Sequence, residues 1–424
     1  MTLQEPDFSH LYHRQRMGIR PGLEGIQKLL HRMGNPQHHF PAIHVAGTNG
    51  KGSTASLAAS ILQAAGLKTG LYTSPHLVHF GERFRINGKN PSPALLKNLV
   101  TSIEEKEDRK NPATFFEFTT AMAFLLFAEA SADIAVLETG MGGRWDATNV
   151  CRPVACIITS IGMDHREFLG NTIRAIAGEK AGIIKPQIPV VTGVTQPEAL
   201  DVIVEKAESC GAPIKIMGRD FDIEKTGRDL FTYRGINTYT NLSPGLAGNH
   251  QATNMALAIA ALESLGEKRI IVPDLPPAII HKGLADRRWP ARIQQLGTEP
   301  DVILDGAHNP EAAMALAAYL RERTPEPRVL VFGVLEDKDA KAMLDILAPL
   351  FDRIILTRPD TPRGLDPEKL IPLLPGTLPF DICSTVPDAL ERAMHRVKPT
   401  GSVCIAGSLY LAGDVLATDF FPCP

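Results

Sequence analysis

Short apolar runs bounded by glycine, proline and polar clusters recur along this chain, and the segments between most of them carry apolar residues at helical spacing. Ala42 to Ala46, Thr69 to Tyr72, Ile134 to Glu138, Val154 to Ile161, Pro189 to Thr192 and Pro213 to Met217 read as strands, which predicts an α/β unit with a largely parallel sheet. Ahead of them, Leu23, Ile26, Leu29 and Leu30 share one face of a helix over 22–33. Between Asp220 and Leu242 the pattern shortens to polar-apolar alternation with turn residues Gly227, Gly235 and Asn237, a small antiparallel excursion, and a helix over Asn254 to Leu265 follows.

The stretch Ile271 to Trp289, with Pro273, Pro276 and Pro277, marks the end of the first domain. A second alternation then runs through strands at Val302 to Leu304, Val329 to Phe332, Ile354 to Leu356 and Val403 to Ala406. Helices are expected at Pro310 to Arg321, Ala340 to Leu347 and Val386 to Val397. The reading is two α/β domains: residues 1–288, a linker over 289–298, and a smaller Rossmann-like doubly wound domain over 299–424.

One turn stands out. His44-Val45-Ala46-Gly47-Thr48-Asn49-Gly50-Lys51-Gly52-Ser53 joins an apolar strand to an alanine-rich helix. Glycines there let backbone N–H groups converge on phosphate oxygens, the helix start adds partial positive charge, and Lys51 adds a full one, so a nucleoside triphosphate is the expected guest. The spacing departs from G-x-x-x-x-G-K-[ST], because Val45 and Gly52 stand where Gly and Ser or Thr are wanted. The metal hydroxyl must therefore come from Ser53 or from elsewhere.

Composition narrows the partners. The 424 residues carry 44 basic and 47 acidic side chains without long blocks of either sign, which argues against nucleic acid and membrane surfaces as partners. Met1 to Gly18 has no apolar leader core and no run reaches membrane-span length, so a cytoplasmic protein is expected. Six cysteines without C-x-x-C pairs are expected to be reduced.

Polar turns follow several strand ends, where ligands bind in open α/β sheets. Glu138 ends an apolar run directly before Gly140, Gly142 and Gly143, facing a metal or nucleophile, or simply solvent. Asp164 and His165 repeat the layout one strand later, His165 as a metal ligand, a base or an ordinary loop histidine. Ser74 lies in a Ser-Pro step after the second strand. Asn254 opens a helix, and Arg292 lies just ahead of Asp305 at the first strand end of the second domain.

HVAGTNGKGS, YTSPHL, ETGMGGRWDATN, GMDH, EKAGIIKP, GNHQATN, DGAHNP and GSLYLAGDV occur in order across nearly the whole chain. This set resembles the folylpolyglutamate synthases and bifunctional dihydrofolate synthase/folylpolyglutamate synthases, relatives of the muramyl ligases. The resemblance implies an N-terminal Mur-ligase-like, P-loop ATPase-like domain and a C-terminal glutamate-ligase domain. The implied activity is an ATP-dependent amide ligase that phosphorylates a pterin-linked carboxylate and joins it to L-glutamate. It further implies that Gly47, Thr48, Asn49, Gly50, Lys51, Gly52 and Ser53 hold the triphosphate, with Asn254, Arg292 and Asp305 as further nucleotide contacts. Ser74, Glu138 and His165 match Mg²⁺ ligands, and Lys180 matches a lysine carboxylated to hold a second Mg²⁺. Lys51, His165 and Lys180 form the implied catalytic set.

Phe115, Phe116 and Phe118 resemble a segment lining the pterin site, with a core helix as the equal alternative. Arg144 and Asp146 resemble the turn that recognises pteroate in bifunctional members, although Trp145 replaces a smaller apolar residue. His308 is placed near the incoming glutamate. The expected partners are thus small molecules, pteroate or folate and L-glutamate, acting on a monomer. Two alternatives stand beside this reading: a muramyl-type amino-acid ligase, and a non-catalytic P-loop ATP switch.

Overall fold

The computed structural model describes residues 8–14, 18, 20, 22–267, 275–285 and 289–421. The chain divides into two compact units, the first drawn from residues 1–75, 81–244 and 252–286, the second from 76–80, 245–251 and 287–424.

The first unit is built on β1 (Ala42–Ala46), β2 (Thr69–Tyr72), β3 (Phe84–Ile86), β4 (Ile134–Glu138), β5 (Pro153–Ile158), β6 (Val190–Thr192) and β7 (Ile214–Ile216). They lie in the order β3-β2-β4-β1-β5-β6-β7. All pairs are parallel except β2 with the edge strand β3. Every residue of β1 and β4 is buried, as expected for central parallel strands covered on both faces. The helix Lys51–Ala64 follows β1, and its small residues admit close neighbours: a Cβ on Gly283 would meet the Ile61 backbone at 2.6 Å. The helix Phe115–Glu129 starts on a capping box of Thr114 and Glu117 and buries Phe118, Phe124 and Phe127.

The antiparallel excursion is a three-stranded sheet of β8 (Asp222–Gly227), β9 (Leu230–Arg234) and β10 (Thr238–Leu242). Glu263, on the helix His250–Glu267, ties it down. Its buried carboxylate accepts from Tyr233 Oη at 2.7 Å, Asn237 N at 2.9 Å, Asn237 Nδ2 at 3.0 Å and Ile236 N at 3.1 Å.

The second unit holds β11 (Gln294–Thr298), β12 (Asp301–Leu304), β13 (Arg328–Phe332), β14 (Arg353–Leu356), β15 (Phe380–Ile382) and β16 (Ser402–Ala406), in the order β11-β12-β16-β13-β14-β15. Side chains alternate between its faces. Ile303, Leu330, Phe332 and Ile354 pack under the helices Pro310–Arg323 and Ala340–Leu347, while Val302, Val329, Val331 and Ile355 pack under Val386–Arg396 and Leu409–Leu416.

Several expected boundaries shift. The strand expected to reach Ile161 stops at Ile158, because Thr159 and Ser160 turn out to bond to the glycine loop. Of the stretch expected as a linker, Gln294–Thr298 is the edge strand β11, paired antiparallel to β12. Pro277 does not break the chain but opens the helix Pro277–Leu284, a position where its missing N–H costs nothing. Residues 268–274 and 286–288, much of the N-terminal segment and Cys423 lie outside the described residues. The five described cysteines are free thiols, and no described helix is long and apolar enough to cross a membrane.

Replacing Glu263 by Ala leaves buried donors without an acceptor. It is expected to lower the unfolding free energy of the first unit by about 3 kcal/mol, read as a lowered urea midpoint, with Glu263→Gln less affected.

Candidate active site

Because β1 lies between β4 and β5, with β2 beyond β4, the turns after four adjacent parallel strands open on one edge of the sheet. These turns begin at Gly47, Thr73, Thr139 and Thr159, and hold four of the eight motifs.

The glycine loop is seated on the turn after β5. Thr48 N donates to Ser160 O at 2.8 Å, and the Thr48 hydroxyl bonds with Gly162 through both its N–H, at 2.9 Å, and its carbonyl. Thr159 Oγ1 donates to Asn49 O at 2.6 Å, and Asn49 N donates to Ser160 Oγ at 2.9 Å. Two glycines are required by this seating. Gly47 has φ +155°, and a Cβ on it would overlap the Thr159 hydroxyl and press on Ser160 N. Gly50, at φ +82°, would drive a Cβ into Asn254 Oδ1, which also accepts from Thr54 Oγ1 at 3.3 Å. Asn254, expected as a nucleotide contact, thus lies against the glycine loop.

Two lysines cap carbonyls of this loop. Lys51 Nζ donates to Thr48 O at 3.0 Å and Lys180 Nζ to Gly47 O at 2.8 Å. Lys180 is 4% exposed at the end of the helix Ile173–Ala181. Burial, and then the neighbouring Lys51 cation, lower its pKa to about 7, while Asp164 and Asp146 oppose the shift. Ser74 and Glu138 also come together, Ser74 N donating to Glu138 Oε2 at 3.1 Å. His165 follows in a left-handed conformation (φ +50°), its Nε2 3.8 Å from Asp164 Oδ2. Among the described residues no three His, Cys, Asp or Glu side chains form a metal cluster by themselves.

The turn after β4 is pinned from two sides. Arg144 N donates to Glu179 O at 2.8 Å, its guanidinium reaches Gly178 O and Glu179, and Asn149 Nδ2 donates to Arg144 O and Gly182 O. Asp146 is buried and accepts from Met141 N and Thr148 N, both at 3.0 Å, and from the Thr148 hydroxyl. Burial raises its pKa against those donors. Trp145 between them is 52% exposed.

The three phenylalanines separate. Phe116 lies against Tyr72 with ring centroids 6.0 Å apart, and a Cβ on Gly140 would overlap its ring, so it borders the turn after β4. Phe115 stacks on Tyr12 and under the Arg83 guanidinium. Phe118 has no exposed surface and lies under Arg14, which makes it a core residue rather than a lining one.

In the second unit, Asp305 leaves the end of β12 and accepts from Ile293 N and Ala307 N, each at 2.8 Å. Burial pushes its carboxyl up and Arg292 opposes. Arg292 Nη1 donates to Ala291 O at 2.9 Å, and His308 Nδ1 lies 2.9 Å from Gly306 O. Sequence reasoning missed Thr159, Ser160 and His44. The only signal for the first two was a pair of hydroxyls at the end of an apolar strand.

Models of known families match both parts of the chain, the Mur ligase middle domain over residues 45–262 and the Mur ligase glutamate ligase domain over residues 291–409. The fold and its glycine loop are therefore those of a Mur-type ATP-dependent amide ligase. The folylpolyglutamate synthase of Lacticaseibacillus casei is 38% identical over 93% of each chain. The dihydrofolate synthase/folylpolyglutamate synthase of Bacillus subtilis is 38% identical over 96% of this chain and 97% of its own. A solved structure of Mycobacterium tuberculosis folylpolyglutamate synthase complexed with ADP and AMPPCP superposes with a TM-score of 0.91 at 33% identity over 98% of each chain. E. coli FolC in complex with DHPP and ADP gives 0.88 at 32% over 96% of each. The chain belongs to the folylpolyglutamate synthase family.

Burial, helped by the Lys185 cation, lowers the pKa of His44 in β1 from 6.5 to about 3. The unfolded chain therefore binds a proton that the folded one refuses between those values. Stability from this group is complete above pH 6.5 and falls as pH drops toward 3, by ~1.4 kcal/mol per pH unit. Urea titrations at pH 7.5 and 5.5 should show a loss in the wild type that is smaller in His44→Gln.

Proposed function

We propose that this chain joins L-glutamate to a pterin-linked carboxylate, that of dihydropteroate, of folate glutamates or of both, at the expense of ATP. The observation that carries the reading is the seated glycine loop with Lys51 and Lys180 on its carbonyls and the Ser74–Glu138 pair on the neighbouring strand ends. Residues up to about 288 form the ATP-binding domain and those from 299 the glutamate-ligase domain, in line with the two family matches.

A carboxylate is a poor electrophile. In the first step its oxygen bonds to the γ-phosphorus and the bond to ADP breaks. The glutamate amine then attacks the acyl carbon, phosphate leaves with the bonding electrons, and the amine gives up its proton. No protein nucleophile is needed, so the site's task is to neutralise charge and align the partners. The N–H groups of the loop and the start of the helix Lys51–Ala64 take the phosphates, with Lys51 on their charge. Arg292 and Asp305 serve as further nucleotide contacts, and His308 meets the incoming glutamate.

The donors suit Mg²⁺. The Glu138 carboxylate beside Ser74, oxygen donors without a dedicated cage among the described residues, is the kind of donor set Mg²⁺ takes. Ser74, Glu138 and His165 would hold the first ion, which would supply charge neutralisation at the phosphates. Lys180 is buried with its pKa lowered toward neutrality, and on reaction with CO₂ it would offer a carboxylate to a second ion. Phe116, Phe115, Arg144 and Asp146 form the pterin side.

Incubation with MgATP, L-glutamate and either dihydropteroate or tetrahydrofolate should yield ADP and a new amide, detected by mass; ADP release with no glutamate-dependent product would exclude the ligase reading. Lys51→Ala is expected to lower kcat by about 100-fold or more. Lys180→Ala should lose activity and recover part of it with added short carboxylates, whereas full activity without them counts against its role.

A further inference from the structure

His44 is fully buried in β1, three residues before the glycine loop, and its imidazole bonds to the turn after β4. Its Nε2 lies 2.8 Å from Thr148 Oγ1. Thr148 has one hydroxyl proton, and that proton goes to Asp146 Oδ1. The Thr148 oxygen must then accept from His44, which fixes the imidazole as the Nε2–H tautomer and leaves Nδ1 as a lone-pair nitrogen. Among the described residues Nδ1 has no hydrogen-bond partner, so the polar contact His44 makes is the one through Nε2.

From these contacts we propose that His44 is a positioning residue for the pterin substrate. Through Thr148 it holds the Asp146 carboxylate, and with it the turn 140–149, in the arrangement that receives the pterin. The inference rests on the reading of that turn as the pterin side.

Asn149 and Arg144 pin the turn to the helix Ile173–Ala181, but neither touches the Asp146 carboxylate. Two of its donors, the Met141 and Thr148 amides, belong to the turn itself. Among the described residues, it is Thr148 Oγ1 that links it to a neighbouring strand. The neutral imidazole suits the task, since burial and Lys185 both disfavour the cation. The same short strand therefore carries the phosphate loop at its end and, through His44, a hold on the substrate turn.

The test is a KM split in the purified full-length enzyme. His44→Leu removes the donor at similar volume, while His44→Gln keeps an N–H near the Nε2 position. His44→Leu should raise KM for dihydropteroate about tenfold while KM for ATP moves less than about twofold, and His44→Gln should restore most of the loss. An unchanged KM for dihydropteroate in His44→Leu overturns the proposal, as does an equal rise in both KM values, which is the mark of general loosening. If His44→Leu does not fold, Thr148→Val against Thr148→Ser poses the same question, since only the serine keeps the hydroxyl; equal KM values for those two overturn it. Amide hydrogen exchange at Met141 and Thr148 separates the two readings. Faster exchange in His44→Leu without any amide product from wild type leaves the hold intact and rejects the pterin assignment, whereas unchanged exchange rejects the hold itself.

Discussion

The first unit depends on how closely the glycine loop approaches the turn after β5. Gly47 lies so near Thr159 and Ser160 that even a Cβ does not fit, and the space gained is filled by hydrogen bonds from Thr48, Asn49, Thr159 and Ser160. Those bonds satisfy the loop from below. Its rim is held by Asn254 at Gly50 and by two lysines on the carbonyls of Gly47 and Thr48. A loop fixed on three sides presents its remaining N–H groups without paying ordering entropy when a phosphate arrives, which is how preorganisation favours binding.

Strand order extends that local fit into a site. The crossovers place β1 between β4 and β5, with β2 next to β4, so residues from 47, 74, 138 and 160 meet at one edge although long segments separate them in the chain. A glycine loop on an edge strand would have one neighbouring turn; here it has two, and a third within reach of Glu138. The Ser74 backbone in the Thr73 turn then bonds to Glu138 at the end of β4, while the Thr159 turn supports the loop itself.

Much of this was legible in the chain because central parallel strands are short, largely apolar runs. Ala42–Ala46, Thr69–Tyr72 and Ile134–Glu138 were bounded to the residue. The edge strands were not, since Phe84–Ile86, Gln294–Thr298 and Phe380–Ile382 bury less and carry charged or polar residues that resemble loop sequence. At the site, glycines and charged residues at strand ends were visible as chemistry. Phe118 shows the opposite limit: an aromatic among aromatics gives no sign of whether it lines a cavity or fills the core. His44 was hidden for a related reason. A polar residue inside an apolar run looks like an interruption, and its meaning lies in a contact with Thr148 that sequence separation conceals.

The two lysines define the electrostatics of the loop. Lys180 has lost most of its water and faces a second cation, so the protein relieves the repulsion by shifting it toward the neutral amine. The Asp164 and Asp146 carboxylates pull the other way and leave it near neutrality rather than far below. Such a balance is poorly suited to a purely structural lysine, which would either pair with a carboxylate or reach solvent. It is well suited to an amine whose charge must respond to its surroundings. A polyphosphate beside Lys51 would stabilise the cation, and reaction of the neutral amine with CO₂ would reverse its sign. The loop geometry thus sets two lysines on adjacent carbonyls, and of the two Lys180 is the one that burial moves toward the neutral amine.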